Sequence, residues 1–345
     1  MQYHTNFKQL NTHLGPRIES RLYFGGTAYL GIPQNEAYLA LYLEGLKKFG
    51  LNNGTSRGNN VQLGIYDEVE HYAAEKYGSG SALITSSGYL AAQLTIKHFV
   101  NFGEIRYAPD THPALWQNDN PQTDGAFANW AVNIVDEINS SDKENWVIIS
   151  NSMNNLYPEI YDFSFLKQIN QSKHIILLVD DSHGIGIINN GLSALSAVPK
   201  CENVKTIIIA SMAKALGVDA GIIFGDTDLI AELKETNAFL GASPPAAAGL
   251  FAFMNAEKIY EVELSKLNQN IATLSNVLNG NKDWHFIPNF PVFFSKNADL
   301  STKLLAKNIL ASSFPYPDKD GPIINRIVLS SWHTNTDIEE LIKAL

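Results

Sequence analysis

An α/β protein with a mostly parallel central sheet, a smaller C-terminal α/β domain and an N-terminal arm is what this sequence predicts. Three observations predict it. From Ser81 onward, short apolar runs alternate with helix-length stretches, and the runs Trp146–Ser150, Ile175–Val179, Thr206–Ala210 and Ala220–Phe224 are near-continuously apolar. Strands of that kind are buried on both faces, which calls for helices on both sides of a mostly parallel sheet. Small or charged residues follow directly, as in Ser86-Ser87-Gly88, Asp180 and Ser211, where such sheets place ligands, beyond the carboxyl ends of the strands.

The elements justify themselves in order. Residues 1–48 read as an arm followed by a helix: a short strand at Arg21–Phe24, then Pro33 and Asn35 opening a helix with Leu39, Tyr42, Leu43, Leu46 and Phe49 at helical spacing. Gly50 ends it. Residues 49–245 form the large domain. A polar Gly/Asn-rich loop, 52–60, leads to a helix from Tyr66 to Lys76, and the strand at 82–85 precedes a helix from Leu90 to Phe99. Ile105–Ala108 and the β-branched, Trp-bearing run Trp130–Val135 are expected as further strands, and a helix is expected near Asp228–Asn237. Residues 246–345 form the smaller domain. It contains a long helix from Ala246 to Leu278, strands at Val292–Phe294 and Arg326–Leu329, and helices at Asp299–Ala311 and Thr336–Ala344.

Composition excludes several function classes. A formal net charge of −10 argues against nucleic acid or an anionic membrane as the main partner. The single cysteine, Cys201, rules out an internal disulfide or a multi-cysteine zinc site, and no metal site is expected. Neither a signal-peptide core between Met1 and Arg17 nor an apolar run of about 18 residues is present, so the expected location is cytoplasmic.

Five polar features sit at or beyond strand ends. Lys214, in Ser211-Met212-Ala213-Lys214-Ala215-Leu216-Gly217, lies on a turn between two apolar runs. Burial there would depress its pKa and make the amine a Schiff-base former; an exposed loop lysine is the plainer reading. Asp180 and His183 close another run, and a carboxylate so close to an apolar core needs a cationic or N–H partner, although capping the next turn would suffice. Ser87, Gly88 and Tyr89 suit either an anion cradle at a helix N-terminus or an ordinary N-cap. His112 is a turn histidine or a ring lying on a flat ligand. Arg326 clamps a carboxylate or pairs with a surface acid. Together these are the parts that pyridoxal phosphate chemistry requires.

Their order along the chain resembles that of the α-oxoamine synthases, fold-type-I, class-II pyridoxal-phosphate enzymes that include 8-amino-7-oxononanoate synthase and 2-amino-3-ketobutyrate CoA ligase. The most specific segments are Val179-Asp180-Asp181-Ser182-His183-Gly184, Ser211 to Gly217, and Gly54-Thr55-Ser56-Arg57. The resemblance implies pyridoxal 5'-phosphate as cofactor and a homodimer with a shared active site. By it, Lys214 is the Schiff-base lysine, Asp180 pairs with the pyridine nitrogen, His183 contacts the phenolic oxygen and His112 stacks on the ring. Ser87, Gly88, Tyr89 and Ser211 hold the phosphate, with Ser243 reaching the partner subunit's phosphate. Arg326 holds the amino-acid carboxylate.

The substrate pocket departs from the family pattern. Thr27 stands where a substrate-contacting Asn is usual, and Asn151 where an acid is usual. Val69 replaces a histidine, and Asn155-Leu156-Tyr157-Pro158 replaces a Ser-Met-x-Gly segment. The expected reaction is therefore a decarboxylating condensation of an amino acid with an acyl-CoA. A transaminase or a lyase of β-hydroxy amino acids is the alternative. A non-catalytic partner subunit is a third possibility that retention of Lys214 argues against.

Overall fold

The computed structural model describes residues 14–316 and 320–345, so the first part of the expected arm, residues 1–13, lies outside the described residues. The larger sheet has six strands in the order Ser81–Thr85, Gly221–Gly225, Val204–Ser211, His174–Asp180, Asn145–Asn151, Glu104–Tyr107. Gly221–Gly225 runs antiparallel to both neighbours, and the other pairs are parallel. The uniform apolarity of 175–179 has a direct cause. Ile176 and Leu178 join one core cluster, while Ile175, Leu177 and Val179 join the other, so both faces of the pleat are dry. Register places Asn151 opposite Asp180 and Ser211 opposite Gly221, which brings these residues to one edge of the sheet.

A second six-stranded sheet runs Arg17–Ile18, Arg21–Phe24, Ile309–Pro315, Ile323–Val328, Val292–Ser295, Trp284–His285. Arg21–Phe24 thus pairs with the C-terminal strand Ile309–Pro315, Leu22 lying opposite Ile309. Leu267, Ile271 and Leu274 of the Glu257–Leu278 helix and Ile338 and Leu341 of the Asn335–Ala344 helix are buried in the same core as Val292 and Ile327 of this sheet. No helix among the described residues is long and apolar enough to cross a membrane.

The helix Glu36–Phe49 starts where Asn35 accepts the Tyr38 N–H and stops at Gly50, whose φ of 73° suits glycine. Its buried side is not the expected stripe. Tyr38 and Gly45 are buried, whereas Leu39 and Leu43 are 56% and 46% exposed. A Cβ at Gly45 would lie 2.9 Å from the Ala248 carbonyl oxygen, so the glycine lets this helix close on the Ala247–Asn255 helix.

Four expectations are corrected. Trp130–Val135 is no strand but part of the Phe127–Ser140 helix, where Phe127, Ala131, Ile134, Val135 and Ile138 are buried at helical spacing and Val132 is 63% exposed. The long helix is two, Ala247–Asn255 and Glu257–Leu278, broken at buried Ala256, whose ψ of 13° departs from the helix. The Asp299–Ala311 helix is only Leu300–Leu305, because Asn308 turns left-handed at φ 59° and Ile309–Pro315 is taken into the second sheet. The Asp228–Asn237 helix ends at Lys234, and a separate turn, Asn237–Gly241, is capped by Thr236.

Candidate active site

The Lys214 turn is held from both sides. Met212 donates to the Ala220 carbonyl at 2.9 Å, Val218 to Met212 at 3.1 Å, and the buried Tyr260 hydroxyl donates to Leu216 O at 2.7 Å. Gly217 has φ 65°, and a Cβ there would meet Ile32 at 2.3 Å. Lys214 lines a cavity with Asp180, His183, His112, Asn151 and Asp110. Desolvation holds its amine below the usual lysine range, against the pull of the Asp180 carboxylate. The exposed-loop reading therefore fails.

Asp180 ends its strand half-buried, one carboxylate oxygen accepting the Ser182 N–H at 2.8 Å. Its neighbour Asp181 points the other way: fully buried, it accepts the Ala194 N–H at 2.8 Å, and burial pushes its pKa up to about 7. His183 Nδ1 lies 2.8 Å from the hydroxyl of Tyr29. Burial, with the Lys214 and Arg326 cations, holds His183 well below the usual histidine range, so the ring is neutral. Tyr29, fully buried, is pushed up to about 12 and keeps its proton.

His112 is set by its loop. Its Nδ1 accepts the Ala114 N–H at 3.1 Å, while its own N–H donates to Asn151 Oδ1 at 3.1 Å. Asn151 Nδ2 in turn donates to Asp110 O at 2.6 Å. Asn151 lines the cavity, but both ends of its amide go to the 110–112 backbone, so its visible task is to place His112. Desolvation also lowers the His112 pKa.

Ser87 does what the plainer reading said: its side chain caps the Gly88–Phe99 helix by accepting the Leu90 N–H at 3.1 Å. The Gly88 and Tyr89 amides remain as first-turn donors that the helix itself cannot satisfy. A Cβ on Gly88 would stand 2.6 Å from Ser211 Cβ, so the helix start and the lysine turn meet as closely as backbone allows. Tyr89 keeps its ring 64% exposed.

Arg326 sits within the strand Ile323–Val328 and is 5% exposed. Its Nη1 donates to Asn155 O at 3.0 Å, its guanidinium lies over Phe314, and its Nε is buried without a partner. No carboxylate pairs with it among the described residues. Burial lowers its pKa against the opposing influence of Tyr29, Tyr23 and Tyr316. A desolvated guanidinium with a donor to spare is poised for an anion.

The remaining residues fall elsewhere. Thr27 is half-buried on the turn before Tyr29 and does not line the cavity, and Ser243 is exposed and away from it. Arg57 is structural: it pairs with buried Glu70 at 2.8 Å, which also binds Lys234 at 2.7 Å. Val69 is core. Tyr29, Asp110 and Tyr316 escaped the sequence reading. Tyr29 stood in Tyr29-Leu30-Gly31 with nothing to mark its bond to a residue far along the chain.

A cofactor carrying a phosphate, a ring nitrogen, a phenolic oxygen and an aldehyde fits these donors. The cradle is closed only by the absence of a Cβ at Gly88, the lysine is desolvated, and an acid and a neutral imidazole share its cavity.

Comparison with known proteins agrees. The family model for aminotransferase class I and II matches residues 120–345, more than half of the chain. Among curated relatives, the 8-amino-7-oxononanoate synthase of Thiobacillus denitrificans is 25% identical, the match covering 96% of this chain and 89% of that protein. The same-named enzyme of Petrotoga mobilis is also 25% identical, over 90% of this chain and 84% of that one. Among solved structures, a lysine-to-alanine variant of serine palmitoyltransferase from S. paucimobilis, with a PLP–myriocin aldimine bound, superposes with a TM-score of 0.81 at 16% identity, covering 97% of this chain and 90% of that one. The 8-amino-7-oxononanoate synthase of Francisella tularensis does so with a TM-score of 0.68 at 20% identity, covering 95% and 97%.

Proposed function

The chain belongs to the aminotransferase class I and II family, on its pyridoxal-phosphate-dependent α-oxoamine synthase branch, and from that premise we propose that it joins an amino acid to the acyl group of an acyl-CoA, with loss of carbon dioxide, giving an aminoketone. The observation that carries the amino-acid half is Arg326: buried, unpaired with any acid among the described residues, and holding an unbonded Nε.

Lys214 would hold the cofactor covalently, Asp180 its ring nitrogen, His183 its phenolic oxygen and His112 its ring face. The Gly88 and Tyr89 amides with Ser211 would hold its phosphate. Bound there, the cofactor would supply a sink for the negative charge that develops at the α-carbon of the amino acid. Arg326 fixes the substrate carboxylate. Desolvation lowers the Lys214 pKa, which raises the share of free amine and suits it to take the α-proton. Ser87 serves as the helix cap, and Asn151 acts by placing the His112 loop rather than by meeting substrate. A contact from Thr27 would reach the site only through the turn that carries Tyr29.

We also infer a cytoplasmic homodimer. Leu39, Leu43, Leu51 and Val61 expose large apolar side chains along one stretch, and Ser243 is exposed where a second copy could use it. Sedimentation at working concentration should give twice the chain mass; a monomer would contradict this.

The reaction is tested by supplying amino acids with acyl-CoA thioesters and following thiol and carbon dioxide release. Stoichiometric release of both supports condensation. Keto-acid or aldehyde formation with the thioester untouched would instead establish the aminotransferase or lyase reading.

A further inference from the structure

The hydrogen bond between Tyr29 and His183 decides more than the position of a ring. A neutral imidazole carries one proton, and which nitrogen holds it sets whether the ring donates to a ligand or accepts from it. His183 is neutral, because burial and the nearby Lys214 and Arg326 cations disfavour a second proton. Its Nδ1 is 2.8 Å from the Tyr29 hydroxyl, which makes no other hydrogen bond among the described residues. Tyr29 is fully buried and keeps its proton. If His183 carried its proton on Nδ1, the phenolic hydrogen of Tyr29 would be buried with no acceptor. If Tyr29 donates to Nδ1, both groups are satisfied and Nε2 carries the proton.

We propose that Tyr29 is a positioning residue that donates to His183 Nδ1 and thereby fixes the imidazole as its Nε2–H tautomer, so that His183 presents a donor, and not an acceptor, to the phenolic oxygen of the cofactor. This rests on the reading of the Lys214 cavity as the cofactor site. Tyr29 is held for the task. Its ring packs edge-on against Phe290 at 5.9 Å, and its backbone oxygen accepts the Ser331 N–H at 2.9 Å. Through the turn 27–31, the N-terminal segment thus reaches the electronics of the cofactor without touching it.

The test uses Tyr29→Phe, which removes the hydroxyl and keeps the ring in its packing. Nitrogen-15 resonances of His183 are recorded in protein freed of cofactor, assigned by loss of the signal in His183→Gln. The wild type should show a protonated Nε2 and an unprotonated, accepting Nδ1, and Tyr29→Phe should shift the two toward a tautomer mixture. In the holoprotein, loss of a fixed donor to the phenolic oxygen should move the pH midpoint of the cofactor's visible absorption upward by about half a unit or more. An Nδ1–H tautomer in the wild type, or His183 resonances unchanged in Tyr29→Phe, overturns the proposal while leaving the cofactor site intact. Failure of borohydride to fix pyridoxal phosphate to the wild type overturns the site reading itself, and with it this assignment. A Tyr29→Phe melting midpoint equal to that of the wild type, with the midpoint of absorption shifted, excludes a merely structural role.

Discussion

The Ser182 hydroxyl accepts the Ser211 backbone N–H at 2.8 Å, tying the turn that carries Asp180 and His183 to the turn that carries Lys214. The two turns end neighbouring strands, yet adjacency of the strands does not by itself set the distance between the acid and the lysine. This bond does part of that work. Ser182→Ala leaves the Ser211 N–H without its partner and should cost about 1 kcal/mol of stability. It should also weaken cofactor retention, read by dialysis followed by absorbance. Unchanged retention would show that the strands alone fix the geometry.

Asn151 was expected to meet substrate, and the structure gives it another task. Asn151→Ala removes partners from both His112 N–H and Asp110 C=O, so a loss of about 1–2 kcal/mol in denaturant unfolding is expected, with looser cofactor binding. A raised KM for the amino acid with stability unchanged would restore the substrate-contact reading.

Arg326→Lys keeps the charge but loses the planar fork. The KM for the amino acid should rise about tenfold or more, equivalent to about 1.4 kcal/mol, with a smaller change in kcat. A fall in kcat at unchanged KM would remove Arg326 from carboxylate binding.

The pH dependence of stability should carry the mark of Asp181. Its pKa rises from an ordinary carboxyl value of 3.8 to about 7 in the fold, because burial disfavours its charge. The folded protein then binds the extra proton, so the stabilisation is full below about pH 4 and is lost as pH rises through 7. His183 and His333, both lowered by burial, act oppositely and lose stability as pH falls below their ordinary value. The difference between Asp181→Asn and wild type isolates the acid: the variant should gain relative stability as pH rises from about 4 to about 7. A flat difference across that range would mean that Asp181 is charged in the fold.

Much of this could be read from the chain, and the reasons are physical. Runs such as 175–179 are apolar throughout because alternate residues serve two cores, so the sheet announces itself. Lys214, Asp180 and Arg326 stood out because charged groups beside such runs demand partners. The Phe127–Ser140 helix was missed because Trp130, Val132 and Val135 favour strands locally, whereas the buried set that decides the matter repeats over a longer stretch. Ile309–Pro315 was missed because one of its two strand partners, Arg21–Phe24, is at the other end of the chain. Tyr29 and Asn151 act through tertiary hydrogen bonds, which no local pattern encodes.

Everything proposed for the site depends on the Lys214 turn holding the cofactor. Borohydride reduction of the holoprotein, followed by digestion and mass spectrometry, tests it directly. A reduced pyridoxyl group is expected on Lys214 and on no other lysine. A label on a different lysine, or none on protein that carries the cofactor, would contradict it.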